Sequence, residues 1–306
     1  MPNVDRRATV RRRTFLTAAL AGSLVGLTGC GIRLESDAPH IPGIKKQGPP
    51  ADQAVLRTLW KQLDAAIGTA ALDSSGWATK LGAVHRAQRT RLTQVMATQG
   101  MTPPAHKALP SGPTVDLAGL FFVEQQGARQ IGSYADLTTR NLPMAAAITV
   151  TQNAGAQLLG HGIEAKGGSV PKPAVVQAIL PSLRAAAYAS EVIIAKTPLD
   201  ARKRAEATVT MLHAARATWE ASLGTDVPPS PDGYRLPVSP TTDTARQKLA
   251  QRVLTDLVTA CAGQAATTRG DRAALIGLTA LWADATAQLW TWGAAPTPFP
   301  GMTPVE

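Results

Sequence analysis

Residues 242–267, TDTARQKLAQRVLTDLVTACAGQAAT, carry the pattern that decides the fold. Leu254, Leu257, Val258 and Cys261 recur at the three- and four-residue spacing that lines one face of an α-helix. Thr242 and Asp243 open the run as an N-cap and a first-turn acid. Cys261 belongs to the stripe, so its thiol reads as a small buried hydrophobe rather than a reactive group.

The same texture extends to both sides. Ala, Leu, Gln and Arg dominate and β-branched alternation is scarce, which favours amphipathic helices over strands. The periodicity predicts helices over residues 52–70, 75–98, 115–139, 142–160, 174–196, 198–223, 242–267 and 271–292. Thr197, Pro198 and Asp200 offer an N-cap, a first-position proline and an N3 acid for the sixth. Gly160-His161-Gly162 and Gly167-Gly168 follow a helix, which makes them a C-cap and linker rather than a phosphate loop.

An internal repeat runs through these helices. His85, Pro103-Pro104, Leu109-Pro110 and Asp116 recur in order as His213, Pro228-Pro229, Leu236-Pro237 and Asp243, at offsets of 128, 125, 127 and 127 positions. Each half is two helices, a Pro-rich crossover (Gly100–Thr114 or Gly224–Thr241) and two more helices. Proline forbids helix there, and the length suffices to travel along a bundle. The expected class is all-α: two tandem ferritin-like four-helix bundles, residues 51–166 and 170–306, the alternative being one eight-helix body without internal symmetry.

The N-terminus reads as an address. Arg6, Arg7, Arg11, Arg12 and Arg13 precede the uncharged stretch 15–28, which is short for a membrane span and typical of a signal peptide. Arg12-Arg13-Thr14-Phe15-Leu16 resembles a twin-arginine export motif. Leu27-Thr28-Gly29-Cys30 resembles a lipobox, in which Cys30 becomes a lipidated N-terminus. Two acyl chains are enough for stable anchoring where one is marginal. The expected order is a signal peptide over residues 1–29, a lipidated N-terminus and flexible Pro/Gly-rich linker over 30–50, and then the body on the outer face of the cell membrane.

Composition narrows the partners. Removing residues 1–29 takes away five Arg and one Asp, lowering the formal charge from +10 to +6. That excess suits anionic lipid or wall polymers. No Lys/Arg block interleaved with aromatics marks a nucleic-acid site. The expected partners are membrane lipid, through a diacylglyceryl anchor, and an envelope protein or wall polymer. With Cys30 lipidated, Cys261 has no intramolecular partner and the fold holds without disulfides.

Arg235-Leu236-Pro237 and the tail Ala295-Pro296-Thr297-Pro298-Phe299-Pro300-Gly301 resemble the DUF4439 ferritin-like family of unknown function. His85-Arg86-Ala87-Gln88-Arg89 and Ala108-Leu109-Pro110 carry the likeness into the first half. The resemblance implies a fold, in two approximate copies over residues 51–302, and no activity.

The chemistry expected of a ferritin-like bundle is not spelled here. A di-iron centre needs two Glu-x-x-His motifs and two further Glu residues. The residues three before His85, His161 and His213 are Gly82, Leu158 and Thr210, and Glu191, Glu206, Asp256 and Asp284 lack the spacing. No Gly-x-Ser-x-Gly elbow or zinc-spaced cysteine pair is present. The candidate polar cluster is His85, Arg86, Arg89, Glu124 and His213, with Glu124 the partner expected for His85; catalytic, metal and cofactor roles are assigned to no residue. Trp282, Trp290 and Trp292 are expected to pack against the Pro296–Phe299 tail. The function expected is a non-enzymatic binding or assembly role, the alternatives being a metal-dependent oxidase or metal store and a carrier of an apolar small molecule.

Overall fold

A computed structural model describes residues 49–73, 75–106, 117–160 and 167–303. Arg12, Arg13, Phe15, Leu16, Leu27, Thr28, Gly29, Cys30 and most of the linker lie outside the described residues, as do Leu109, Pro110, Asp116 and His161. Among the described residues there are eight α-helices and no strand: α1 Gln53–Ala71, α2 Gly76–Thr98, α3 Leu117–Ala128, α4 Leu142–Leu158, α5 Pro173–Ala195, α6 Lys203–Ala221, α7 Asp243–Gln264 and α8 Arg272–Thr291.

Local chemistry sets several of the boundaries. Ser75, Thr242 and Asp271 each accept a hydrogen bond from the backbone N–H three residues on, the N-cap geometry that starts α2, α7 and α8. Gly160, with φ of +117°, turns the chain off the end of α4 as its position suggests. Two expectations fail. Thr197 does not cap α6: its hydroxyl donates back to Ile193 O and its carbonyl accepts from Arg202 Nε, so a 3-10 turn intervenes and α6 starts at Lys203. The third helix ends at Ala128, well short of residue 139, with a 3-10 turn at Ile131–Tyr134 beyond it. Side chains compete for that stretch. Asp52 accepts from the amide and hydroxyl of Thr138 and from Asn141 Nδ2, while Ala135 O accepts from Gly270 N.

The helices pair in a repeating order. α1 packs on α2 and α3, and α3 on α4; α5 packs on α6 and α7, and α7 on α8. The halves meet where α4 lies on α8. The 3-10 turn after α3 (Ile131–Tyr134) touches α8, and the 3-10 turn after α7 (Ala265–Thr268) touches α4. Burial repeats too. Leu56, Leu59, Trp60, Leu63 and Ala66 are buried on α1, and so are Leu183, Ala186, Ala187, Ser190 and Ile193, each 127 positions further on.

One apolar core runs through both halves, from Leu56, Leu59 and Leu63 through Ile148 and Val150 to Leu183, Leu254, Leu257 and Leu278. Each fully buried aliphatic side chain contributes about 1.5–3 kcal/mol of transfer free energy. α4 and α8 are buried nearly all round, as central helices are. Among the described residues α5 alone is long and apolar enough to cross a membrane, with a mean hydropathy of 1.3, yet half of that window is buried inside the body, as in a core helix. A smaller apolar cluster, Ala70, Ala78, Leu81, Leu120, Ala154, Ala287 and Trp290, lies beside the main core.

Candidate functional site

His85 and Glu124, from α2 and α3, meet at full burial, with His85 Nε2 2.6 Å from Glu124 Oε1. The other ring nitrogen, Nδ1, lies 2.8 Å from Gln88 Oε1, one helical turn further along α2. Gln88 is oriented by its own donation from Nε2 to Pro298 O in the C-terminal tail. Its oxygen therefore faces the ring, and both ring nitrogens face acceptors. A ring that donates on both sides is the imidazolium. Burial pulls the His85 pKa down, but the Glu124 carboxylate and the hydrogen bonds from the ring to Glu124 and Gln88 outweigh it and raise it above 6.5.

This polar island is incompletely satisfied. Glu124 Oε2 and both amide atoms of Gln152, on α4, are buried without a hydrogen-bond partner. Gln152 lies against α3 where that helix carries Gly127, and a Cβ there would stand 2.2 Å from Gln152 Nε2, so only glycine admits the amide. Each such orphan costs about 1–3 kcal/mol.

The structure thus brings His85 and Glu124 together and disperses the rest of the expected cluster. Arg86 is exposed. Arg89 donates to Asp64 on α1 and lies 5.6 Å over the Trp60 ring; His106 Nδ1 also reaches Asp64, at 2.7 Å. His213 is half-buried on α6 and bonds Glu191 on α5 at 2.6 Å. Asp64 and Glu191 stand 127 positions apart at matching places on α1 and α5, and each binds a base on the following helix. The first half uses Arg89 for that bridge, which leaves His85 to α3. Among the described residues no group of three or more His, Cys, Asp or Glu side chains is placed to hold a metal ion.

Other polar features lie where the sequence is silent. Gln157 on α4 donates to Asp284 on α8 at 2.7 Å, across the contact between the halves. Burial raises the Asp284 carboxyl to about 6 against the lowering effect of that bond. Arg184, buried on α5, binds Glu220 at 2.7 Å and the carbonyls of Pro228 and Pro229, fastening the second crossover; Arg57 on α1 likewise reaches Thr102 O, at the start of the first. Cys261 is fully buried, and burial pushes its thiol pKa up.

The three tryptophans separate. Trp282 is fully buried, and Trp292 donates to Thr208 beneath the Arg204 guanidinium, which lies 4.0 Å from its ring. Trp290 packs against Trp77 of α2 at 6.4 Å between ring centroids and, with Pro296 and Pro298, borders a surface groove. The tail residues Phe299 and Met302 pack on the main core.

The class is that of an all-helical protein with a four-helix order, α5 to α8, closed by a Pro-rich tail. Residues 175–304, covering those helices and the tail, match the family described as Domain of unknown function (DUF4439). No curated protein and no solved structure matches the chain.

Proposed function

We propose that this chain is an exported, membrane-anchored envelope lipoprotein with a non-enzymatic binding or assembly role, its body made of two copies of one ferritin-like four-helix unit. The observation that carries the anchor is Leu27-Thr28-Gly29-Cys30 directly after an arginine-led apolar stretch. Two acyl chains on Cys30 at about 0.8 kcal/mol per buried CH₂ would hold the body at the outer face of the membrane, beside envelope proteins and wall polymers. The repeated helix pairing, the shared 127-position register and the reciprocal contacts of α4 and α8 support the two copies. A non-enzymatic role is favoured by the fate of the best-placed acid–base pair: His85 and Glu124 face each other and Gln88 at full burial, with no surface open to a substrate.

Labelling with a radioactive fatty acid in a bacterial host tests the anchor. The wild-type chain takes up label and fractionates with membranes, whereas Cys30→Ala accumulates as an unlabelled, uncleaved precursor. Equal labelling of the two would refute the lipoprotein reading.

A further inference from the structure

The groove beside Trp290 is a composite of both halves. α2 supplies Trp77, Lys80 and Val84, while the end of α8 and the tail supply Trp290, Pro296 and Pro298. Its volume of about 530 Å³ lies within the range of small-molecule sites. Three properties define what fits it. The walls are apolar and include two indole rings, so they suit a hydrocarbon body. Lys80 is the one charged residue among the described residues lining it, and its ammonium stands 4.9 Å from the Trp77 ring centroid. The tail wall is fastened before any ligand arrives: Gln88 holds Pro298 O, Gln247 and Gln251 hold Trp292 O, and Phe299 is packed on the core. A wall already ordered spares the ligand that entropic cost.

We propose that this groove is a binding site for a single anionic amphiphile, a molecule with an aliphatic body and one acidic head group. The body lies along Trp77, Val84, Trp290 and the proline wall, and the head group pairs with Lys80. Among the described lining residues no carboxylate opposes it. The inference rests on the groove alone and stands or falls independently of the lipid on Cys30.

Calorimetric titration of the full chain, carrying Cys30→Ser so that no acyl group is attached, tests it with dodecyl phosphate below its micelle concentration. Saturable binding of one molecule per chain is expected. Trp77→Ala weakens it about tenfold or more, the loss of a large apolar contact. Lys80→Met weakens it about fivefold but leaves dodecyl maltoside, the neutral counterpart, unaffected. Ala83→Gln, at an exposed lining position, obstructs the groove without touching the core and weakens both ligands. Inorganic phosphate alone does not bind measurably. Equal affinity of wild type and Ala83→Gln would overturn the proposal, as would a Lys80→Met variant with no preference lost. Heat evolved only with anionic vesicles, and never with monomeric dodecyl phosphate, would assign the surface to a membrane face and overturn it as well.

Discussion

Replacing Glu124 by Gln should invert the pH dependence of stability. In the wild type the His85 pKa is raised, so the folded state holds that proton more tightly than the unfolded chain does. The stabilisation is complete below about 6.5 and is lost as pH rises through the folded value, with a slope of up to about 1.4 kcal/mol per pH unit for one proton. Glu124→Gln keeps the volume and places an amide donor opposite Nε2, which satisfies a neutral ring. Burial is then the only strong influence left, and it lowers the pKa. Stability now rises with pH through the region around 6.5. Glu124→Leu leaves Nε2 with nothing to bond and should cost about 3–5 kcal/mol, the penalty for removing one partner of a buried pair. Urea unfolding followed by far-ultraviolet circular dichroism between pH 5.5 and 8.5 reads both effects. Asp284 titrates at the lower edge of that range, but equally in each variant, so the difference between variants isolates His85. A Glu124→Gln chain that kept the wild-type slope would refute the ion-pair account of the site.

Further predictions follow from single contacts. Asp284→Asn keeps an acceptor for Gln157 and should stabilise the chain at pH 7 by about 1–3 kcal/mol. Because the folded carboxyl is raised to about 6, the wild type is at its best below about pH 4 and loses ground as pH rises through 6, so the gain should vanish at low pH; a constant gain would point to a cause other than ionisation. Gly277→Ala places a Cβ 2.0 Å from Ser169 O, where the connection between the halves crosses α8, and should lower stability by about 1–3 kcal/mol. Gly263→Ala, in open space on α7, should raise it by about 0.5–1 kcal/mol, and denaturation midpoints of the two variants give the comparison.

The helices were legible because each carries its own periodicity and three of them, α2, α7 and α8, carry their own side-chain caps. Leu254, Leu257, Val258 and Cys261 needed no partner to declare a face, and Thr242 and Asp271 needed only the next turn. The segment after α3 was illegible because its backbone is claimed from a distance, by Asp52 and by Gly270, and no local pattern announces a contact with α1 or with the loop before α8. The same holds for the site. His85 with Glu124 followed from Glu124 being the one carboxylate of the first half that the sequence allowed to be paired with it in the core. Gln88 had a signal in its three-residue spacing from His85, but its second bond, to Pro298, spans 210 positions. Gln152, Asp64 and the pairing of Gln157 with Asp284 depend on how whole helices dock, which single residues do not encode.

The central place of α8 bears on the order of events during synthesis. It is the last of the eight described helices to be made, yet α4 rests on it, α7 rests on it, and the turn after α3 reaches it. Until residues 272–291 leave the ribosome, the side of α4 that faces α8 has no partner helix, although α3 already packs on α4. A chain halted before Arg272 is therefore expected to leave the α8-facing sides of α4 and α7 open to chaperones rather than form a finished body.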